Sequence, residues 1–279
     1  MTKELIWKPL LACMIFLAMQ TAFGIIGATI EVTINGEAGL SPNLSPNTIA
    51  LATLFSGLFT VFILSRFLKM INTDEAWRMH GSLKDKQWWV AIVAGGISFV
   101  AGACASNLLS EQLMLTNKLE EEFITLSHSW IGIVVIGITT PIVEELIFRE
   151  GITGLLLRKG LKPSIAIIAS AIVFGLIHLN PAQIPFAFLL GLLLGILYWK
   201  TGNILLCGTM HIINNMVAIL QMQTGDVQNT ELTEMVGGVS SAWTYTFILT
   251  IVCILATIVF CKFYKQKEPI LHEQKQITF

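Results

Sequence analysis

Charged side chains are scarce in this sequence. They make up 13% of the 279 residues, whereas soluble domains average about 25%. Hydrophobic residues make up 54%, and the mean hydropathy is +0.73. So few charges exclude an ordinary soluble domain. The composition indicates an integral membrane protein.

An excess of positive charge is also lacking, because 17 Lys and Arg stand against 18 Asp and Glu for a net charge of −1. Nucleic-acid-binding proteins and peripheral membrane proteins usually carry a basic excess. We therefore expect no nucleic-acid partner, and we expect membrane lipids around the chain. Internal repeats, low-complexity tracts and a separate soluble domain are missing as well. Residues 1–279 are predicted to form one membrane domain.

Cysteine pairs of the CxxC type do not occur among the five cysteines, which are Cys13, Cys104, Cys207, Cys253 and Cys261. Each cysteine falls in or at the edge of an apolar run. We interpret them as small buried hydrophobic residues that form neither a disulfide framework nor a zinc site.

Apolar segments are abundant, and eight can be marked: Leu10–Ile30, Thr48–Leu68, Trp88–Leu109, Trp130–Leu157, Pro163–His178, Ile184–Trp199, Ile204–Met222 and Trp243–Phe263. Most of them reach the ~20 residues that a spanning helix needs. The fifth and sixth are short and would have to be extended or tilted less. Alternatively, these two form a re-entrant hairpin through Asn180 and Pro181. The predicted fold is all-α, a polytopic membrane protein of about eight transmembrane helices.

Basic residues alternate between the connecting loops. One set of loops and the two ends hold Lys3, Lys8, Arg66, Lys69, Arg78, Lys84, Lys86, Arg158, Lys159, Lys162, Lys200, Lys262, Lys265, Lys267 and Lys275. The opposite loops hold a single basic residue, Lys118. By the positive-inside rule, this alternation fits eight helices with both termini in the cytoplasm. We expect a multi-pass protein of a bacterial cell membrane, and an organellar membrane stays open.

Ionisable residues interrupt the fourth segment. Glu144, Glu145 and Arg149 lie between the apolar runs 130–143 and 152–157. Charged groups at membrane depth are costly and therefore mark functional-site hypotheses. In a helix, Glu145 and Arg149 stand at i and i+4 and are close enough to pair, whereas Glu144 points about 100° away. One carboxylate is thus neutralised locally, and the other is available for chemistry.

Histidines occur in two of the later segments. His178 ends the fifth, and the seventh contains His211, Asn214 and Asn215, with His211 and Asn215 on one helix face. Histidine and asparagine in membrane helices often serve only as interhelical hydrogen-bonding groups, and a Glu-Arg pair is sometimes only a structural clamp. The confinement of these groups to three segments favours a shared catalytic site.

These residues make up three motifs: EExxxR from Glu144 to Arg149, FxxxH from Phe174 to His178, and HxxxN from His211 to Asn215. Their order on successive hydrophobic segments resembles the CPBP family of intramembrane proteases. That family includes type II CAAX prenyl endopeptidases and bacterial bacteriocin-processing or self-immunity proteins. The resemblance covers roughly residues 131–222, which are expected to form the catalytic core.

The resemblance implies a role for each motif residue. Glu144 would act as general base on a water molecule, and His178 would help to hold and activate that water. His211 and Asn215 would stabilise the oxyanion that develops on a peptide carbonyl. Glu145 and Arg149 would support this set by fixing the helix and tuning Glu144.

The resemblance favours a reaction without a metal cofactor. Glu144, His178 and His211 nevertheless correspond to the His₂Glu ligand set of a catalytic zinc site. The sequence lacks the HExxH pattern that places two histidine ligands and a base on one helix. Zinc therefore stays open as the alternative cofactor.

Three functions fit the sequence. The first is an intramembrane endopeptidase that cleaves a membrane-associated peptide or a lipidated protein. The second is a bacteriocin self-immunity or peptide-binding membrane protein that does not require proteolysis. The third is a proton-coupled transporter, for which the expected repeats are missing. The identity of the substrate and the oligomeric state do not follow from the sequence.

Overall fold

A computed structural model describes residues 4–35, 44–72, 86–223 and 232–265. Within these ranges the chain forms helices and no strands. In chain order the helices are α1 (Glu4–Asn35), α2 (Pro46–Arg66), α3 (Lys86–Gln112), α4 (Glu120–Ser127), α5 (Trp130–Arg158), α6 (Pro163–Leu176), α7 (Gln183–Thr201), α8 (Ile204–Gln223), α9 (Leu232–Met235) and α10 (Val239–Phe263). The all-α prediction is confirmed.

All eight predicted apolar segments are helical, and seven of the described helices are long and apolar enough to cross a membrane. The chain is therefore a multi-pass membrane protein. The remaining one, the fifth segment, is α6, which has 14 residues and a length of about 21 Å. The short helices α4 and α9 lie where the sequence predicted loops. Five basic residues used in the topology prediction lie outside the described ranges: Lys3, Arg78, Lys84, Lys267 and Lys275.

The central element is α5. More than half of its most apolar stretch is buried, 56%, against 11% in α1 and in α10. The α5 helix contacts α2, α6, α7 and α8, while α1 packs on α2 and α10 packs on α3. The outer helices expose apolar side chains such as Ile25 and Phe247, as expected of surfaces that face lipid.

Two π-helical stretches interrupt α5, at Val135–Thr139 and at Leu146–Gly154. Pro141 follows the first of them and has no N–H to donate. The N–H of Thr140 donates to the carbonyl of Val135, five residues back. Neither Thr140 nor Pro141 therefore donates to the carbonyl of Ile136. Such π turns are rare and often lie at functional sites.

The turn after α6 is joined to the segment between α3 and α4. Asn180 is fully buried, its Nδ2 donates to Asn117 Oδ1 at 2.8 Å, and its Oδ1 accepts from the Lys118 N–H at 3.1 Å. The N–H of Ala182 also donates to the carbonyl of Thr116. These bonds place both segments at the same end of the helix bundle.

The five cysteines are free, as the sequence predicted. The prediction that the cysteines are buried is correct for Cys207 only. Cys104 is exposed, and Cys13, Cys253 and Cys261 are half-buried. Because α1, α3 and α10 lie at the outside of the bundle, an apolar cysteine on them faces lipid as readily as protein.

Candidate active site

Glu145 and Arg149 form a buried ion pair on α5. Arg149 Nε lies 2.9 Å from Glu145 Oε2, and the two side chains are 1% and 0% exposed. The contact has the distance of a hydrogen bond but not its alignment, so charge attraction holds the pair together. This is the contact that the i and i+4 spacing predicts. Without its partner, either charge would be costly in so dry an environment.

The guanidinium of Arg149 also stacks on an aromatic ring. Its Cζ lies 4.4 Å from the ring centroid of Phe174 on α6. Among the described residues, Nη1 and Nη2 have no hydrogen-bond partner. A cation–π contact is strongest where water is excluded, and here it compensates for the missing hydrogen bonds. Phe174 thus ties the FxxxH motif to the EExxxR motif.

His211 on α8 stands between the two carboxylates. Its Nδ1 lies 2.9 Å from Glu145 Oε1, and its Nε2 lies 3.7 Å from Glu144 Oε2. The Glu145 carboxylate is paired with Arg149 and serves as an acceptor, so we assign His211 Nδ1 as the donor of this hydrogen bond. That assignment directs Nε2 toward Glu144. The imidazole is buried, so its orientation is fixed by protein contacts.

Glu144 differs from its neighbour in charge compensation and access. Its side chain is 13% exposed, whereas that of Glu145 is fully buried. Among the described residues, its only ion-pair contact is the long one to His211. The carboxylates of Glu144 and Glu145 with the guanidinium of Arg149 leave one net negative charge in the site. Glu144 is the carboxylate that a reactant could reach.

His178 follows the last turn of α6 and is half-buried. Its Nδ1 lies 2.7 Å from the carbonyl of Phe174. A carbonyl only accepts, so Nδ1 carries a proton and Nε2 holds the lone pair of the neutral ring. The Phe174 ring has edge contacts with both histidines, at 5.0 Å from His178 and 6.1 Å from His211. One aromatic side chain therefore lies against both.

Asn215 has a partner that the sequence did not suggest. Its Nδ2 donates to the carbonyl of Ile136 at 2.9 Å, which is the carbonyl left without a donor by the π turn and Pro141. Its Oδ1 lies 3.4 Å from Asn214 Nδ2. One amide hydrogen of Asn215 is thus committed to the backbone of α5, and the second is left for another acceptor. His211 and Asn215 share the helix face that contacts α5, as predicted.

The zinc alternative requires that Glu144, His178 and His211 converge on one point. Among the residues that the structure describes, no group of three His, Cys, Asp or Glu side chains is placed to hold a metal ion. His178 Nδ1 is engaged by a backbone carbonyl, and His211 Nδ1 is engaged by Glu145. Each ring would therefore offer a metal only its Nε2, with Nδ1 bonded as is usual in a histidine ligand. We derive no reaction step through a metal.

A second polar cluster on α5 was missed by the sequence analysis. Glu150 follows Arg149 directly, is 3% exposed and accepts hydrogen bonds from Tyr198 and Arg158. The sequence feature that could have revealed this cluster is a fourth charged residue, directly after Arg149, within an apolar helix. The sequence analysis included Phe174 in the FxxxH motif but did not predict its contacts with Arg149 and the two histidines. Aromatic contacts between helices produce no local sequence pattern.

Comparison with known protein families gives one match. Residues 126–217 match the family model described as type II CAAX prenyl endopeptidase Rce1-like, over about a third of the chain. The matched region contains all three motifs, which confirms the resemblance drawn from them. It supports a membrane protease as the general class of this chain. No curated protein and no solved structure gives a match.

Proposed function

From the Rce1-like match and the state of Glu144, we propose that the chain is an intramembrane endopeptidase that uses a glutamate-activated water. The observation that carries this proposal is the contrast between adjacent carboxylates. Glu145 is buried and neutralised by Arg149, whereas Glu144 is partly exposed and faces an imidazole. A general base must be reachable by its water and must not be held by a close countercharge. Glu144 meets both conditions.

The proposed reaction begins with water between Glu144 and His178. Glu144 takes a proton from this water, and the oxygen of the water attacks the carbonyl carbon of the scissile peptide bond. The lone pair on His178 Nε2 is available to orient the water. The proton held by Glu144 then passes to the leaving amine, so that the carboxylate is regenerated. General base catalysis of this kind contributes about 10²- to 10⁴-fold in rate.

The oxyanion of the tetrahedral intermediate requires hydrogen-bond donors. Asn215 has one uncommitted amide hydrogen, and it shares a helix face with His211. His211 donates at Nδ1 to Glu145, so it serves the oxyanion through Nε2 only when the ring carries a second proton. Both carboxylates contact this ring, with Glu145 Oε1 at 2.9 Å from Nδ1 and Glu144 Oε2 at 3.7 Å from Nε2. Donors preorganised in a dry site are effective at stabilising such charge.

The substrate class follows from the surroundings of the site. The motif residues lie on helices that face lipid on their outer sides, so we infer a membrane-associated peptide or a lipidated protein as substrate. The cell membrane is the proposed location. The domain proposal from the sequence is kept: one membrane domain, with the catalytic core in residues 131–222.

The test is cleavage of a quenched fluorescent peptide library by protein purified in detergent. Glu144→Ala and His178→Ala are expected to lose cleavage while they express and fold as the wild type does. Glu121→Ala removes an exposed carboxylate from α4 and serves as the matched control with unchanged activity. Full activity in Glu144→Ala would contradict the proposed mechanism.

Two further arms separate the alternatives. Cleavage is measured with and without a metal chelator, and we expect no effect of the chelator. Inhibition that zinc reverses would favour a metalloprotease with Glu144, His178 and His211 as ligands. If the wild type cleaves no peptide but protects cells from a membrane-active peptide, and Glu144→Gln protects equally, the immunity function is the correct one.

A further inference from the structure

A polar cluster on the other side of α5 is formed by Glu150, Arg158 and Tyr198, and we refer to it as the Glu150 cluster. The hydroxyl of Tyr198 donates to Glu150 Oε2 in a short hydrogen bond. Arg158 Nη1 donates to Glu150 Oε1 at 2.8 Å. Both oxygens of this buried carboxylate are therefore satisfied, and its charge is compensated.

The Glu150 cluster joins three parts of the chain. Glu150 and Arg158 belong to α5, and Tyr198 belongs to α7. Arg158 Nη2 also donates to the carbonyl of Met70 at 2.9 Å, and the Asn72 N–H lies 3.4 Å from Glu150 Oε1. The segment that follows α2 is thus bonded to α5 and, through Glu150, to α7.

Gly154 makes this convergence possible. A Cβ at this position would lie 2.9 Å from Arg158 Nη1 and 3.0 Å from Tyr198 Oη. Both distances are shorter than ordinary van der Waals contact. The absence of a side chain on α5 at residue 154 lets the two donors reach Glu150.

The Glu150 cluster is linked to the candidate active site through the backbone of α5. Arg149 and Glu150 are consecutive residues of the second π-helical stretch. Arg149 contacts Glu145 and the Phe174 ring of α6, whereas Glu150 contacts α7. Two adjacent buried charges are therefore fixed to different neighbouring helices. This double attachment opposes rotation of α5 about its own axis.

We propose that Glu150, Arg158 and Tyr198 are positioning residues that fix the rotation of α5 and thereby the placement of Glu144 and Glu145 against His211. The inference rests on the proposed function for its catalytic consequence. Rotation of α5 would move Glu145 away from His211 Nδ1 and change the 3.7 Å separation between His211 Nε2 and Glu144. Misplacement of reacting groups by about 1 Å is enough to lower a rate by up to about 10²-fold.

The first measurement compares kcat and KM of Tyr198→Phe and Glu150→Gln with those of the wild type. Tyr198→Phe keeps the ring and removes one hydrogen bond, and it is the variant to rely on if Glu150→Gln does not fold. We expect kcat to fall about tenfold with KM changed less than twofold. Unchanged kcat in a folded Tyr198→Phe protein would overturn the inference.

The matched control is Thr257→Val. Thr257 Oγ1 lies 2.6 Å from Ser98 Oγ across the contact between α3 and α10, so this variant also removes one hydroxyl contact between two helices. We expect a loss of thermal stability comparable with that of Tyr198→Phe and an unchanged kcat. If both variants lower kcat equally, the Glu150 cluster contributes only to general stability.

A second readout does not depend on cleavage. Histidine is labelled with ¹⁵N, and the His211 resonances are assigned by their loss in His211→Gln. We expect Tyr198→Phe to shift the His211 Nδ1 resonance, because its hydrogen bond to Glu145 is altered, and Thr257→Val to leave it in place. An unshifted resonance would contradict the positioning role. A wild type that cleaves nothing would instead refute the proposed function and leave this readout informative.

Discussion

Glu144 and Glu145 are adjacent in the chain, yet they differ in burial and in the residues that they contact. Glu145 accepts from His211 and pairs with Arg149 in a fully buried position. Glu144 is the more accessible carboxylate, and His211 is its only ion-pair contact in the described part of the chain. The difference arises because consecutive helical residues point about 100° apart. One side chain enters the dry interior of the bundle, and the other is left partly exposed.

The first prediction separates these two roles at the residue scale. Glu144→Gln removes the base and is expected to lower cleavage by at least about 10²-fold with little change in stability. Glu145→Gln leaves the Arg149 charge without its partner. Because removing one member of a buried pair is destabilising, we expect the free energy of unfolding to fall by about 3–5 kcal/mol. Cleavage assays and denaturant unfolding in detergent measure both effects. Equal losses of stability in the two variants would contradict the assigned difference.

At the scale of the helix, α5 depends on a side chain from another element to complete its own backbone. The π turn at Val135–Thr139 and the ring of Pro141 leave the carbonyl of Ile136 without a helical donor. Asn215 on α8 supplies the missing hydrogen. A carbonyl in a membrane interior needs such a partner because water is excluded.

This dependence gives the second prediction. Asn215→Ala is expected to destabilise the fold by about 1 kcal/mol, the usual size of an interhelical hydrogen bond in a membrane. In a Pro141→Ala background the new N–H at residue 141 is available to the α5 carbonyls. Asn215→Ala should therefore lower the free energy of unfolding by less in that background. Thermal unfolding of the four proteins measures the coupling. Additive effects of the two substitutions would rule out the proposed compensation.

The helices also show which structural features can be predicted from a local sequence pattern and which cannot. The apolar segments and the pairing of Glu145 with Arg149 are readable from hydropathy and helical period alone. The π turns, the short helices α4 and α9, and the exposure of Cys104 were not predicted. Their causes lie in neighbouring elements and in the lipid-facing surface, to which a local pattern is insensitive.

At the scale of the whole molecule, α6 and α7 either both cross the membrane or form a re-entrant hairpin. The bonds from Asn180 and Ala182 to residues 116–118 hold the α6–α7 turn beside the segment that follows α3. The positive-inside rule predicts that this segment lies outside the cytoplasm. The turn should therefore also be outside, and α6 should cross despite its short length.

The third prediction tests this topology by cysteine labelling in a variant whose five native cysteines are replaced. Leu179→Cys on the α6–α7 turn and Met114→Cys after α3 are both exposed positions, at 67% and 91%. An impermeant maleimide added to intact cells should label both. Labelling of Met114→Cys alone would favour the hairpin. Labelling of neither before permeabilisation would reverse the predicted orientation.

The membrane class, the helical segments and the residue types of the candidate site could all be predicted before the structure was known. They follow from composition and from contacts within one or two helical turns. The assembly of the site depends instead on contacts between residues that are far apart in the chain. His211 reaches Glu145 across 66 residues, Asn215 reaches Ile136 across 79, and Tyr198 reaches Glu150 across 48. Contacts at such separations depend on which helices pack together and on their rotation. Helical periodicity specifies the face of each helix but not its partner.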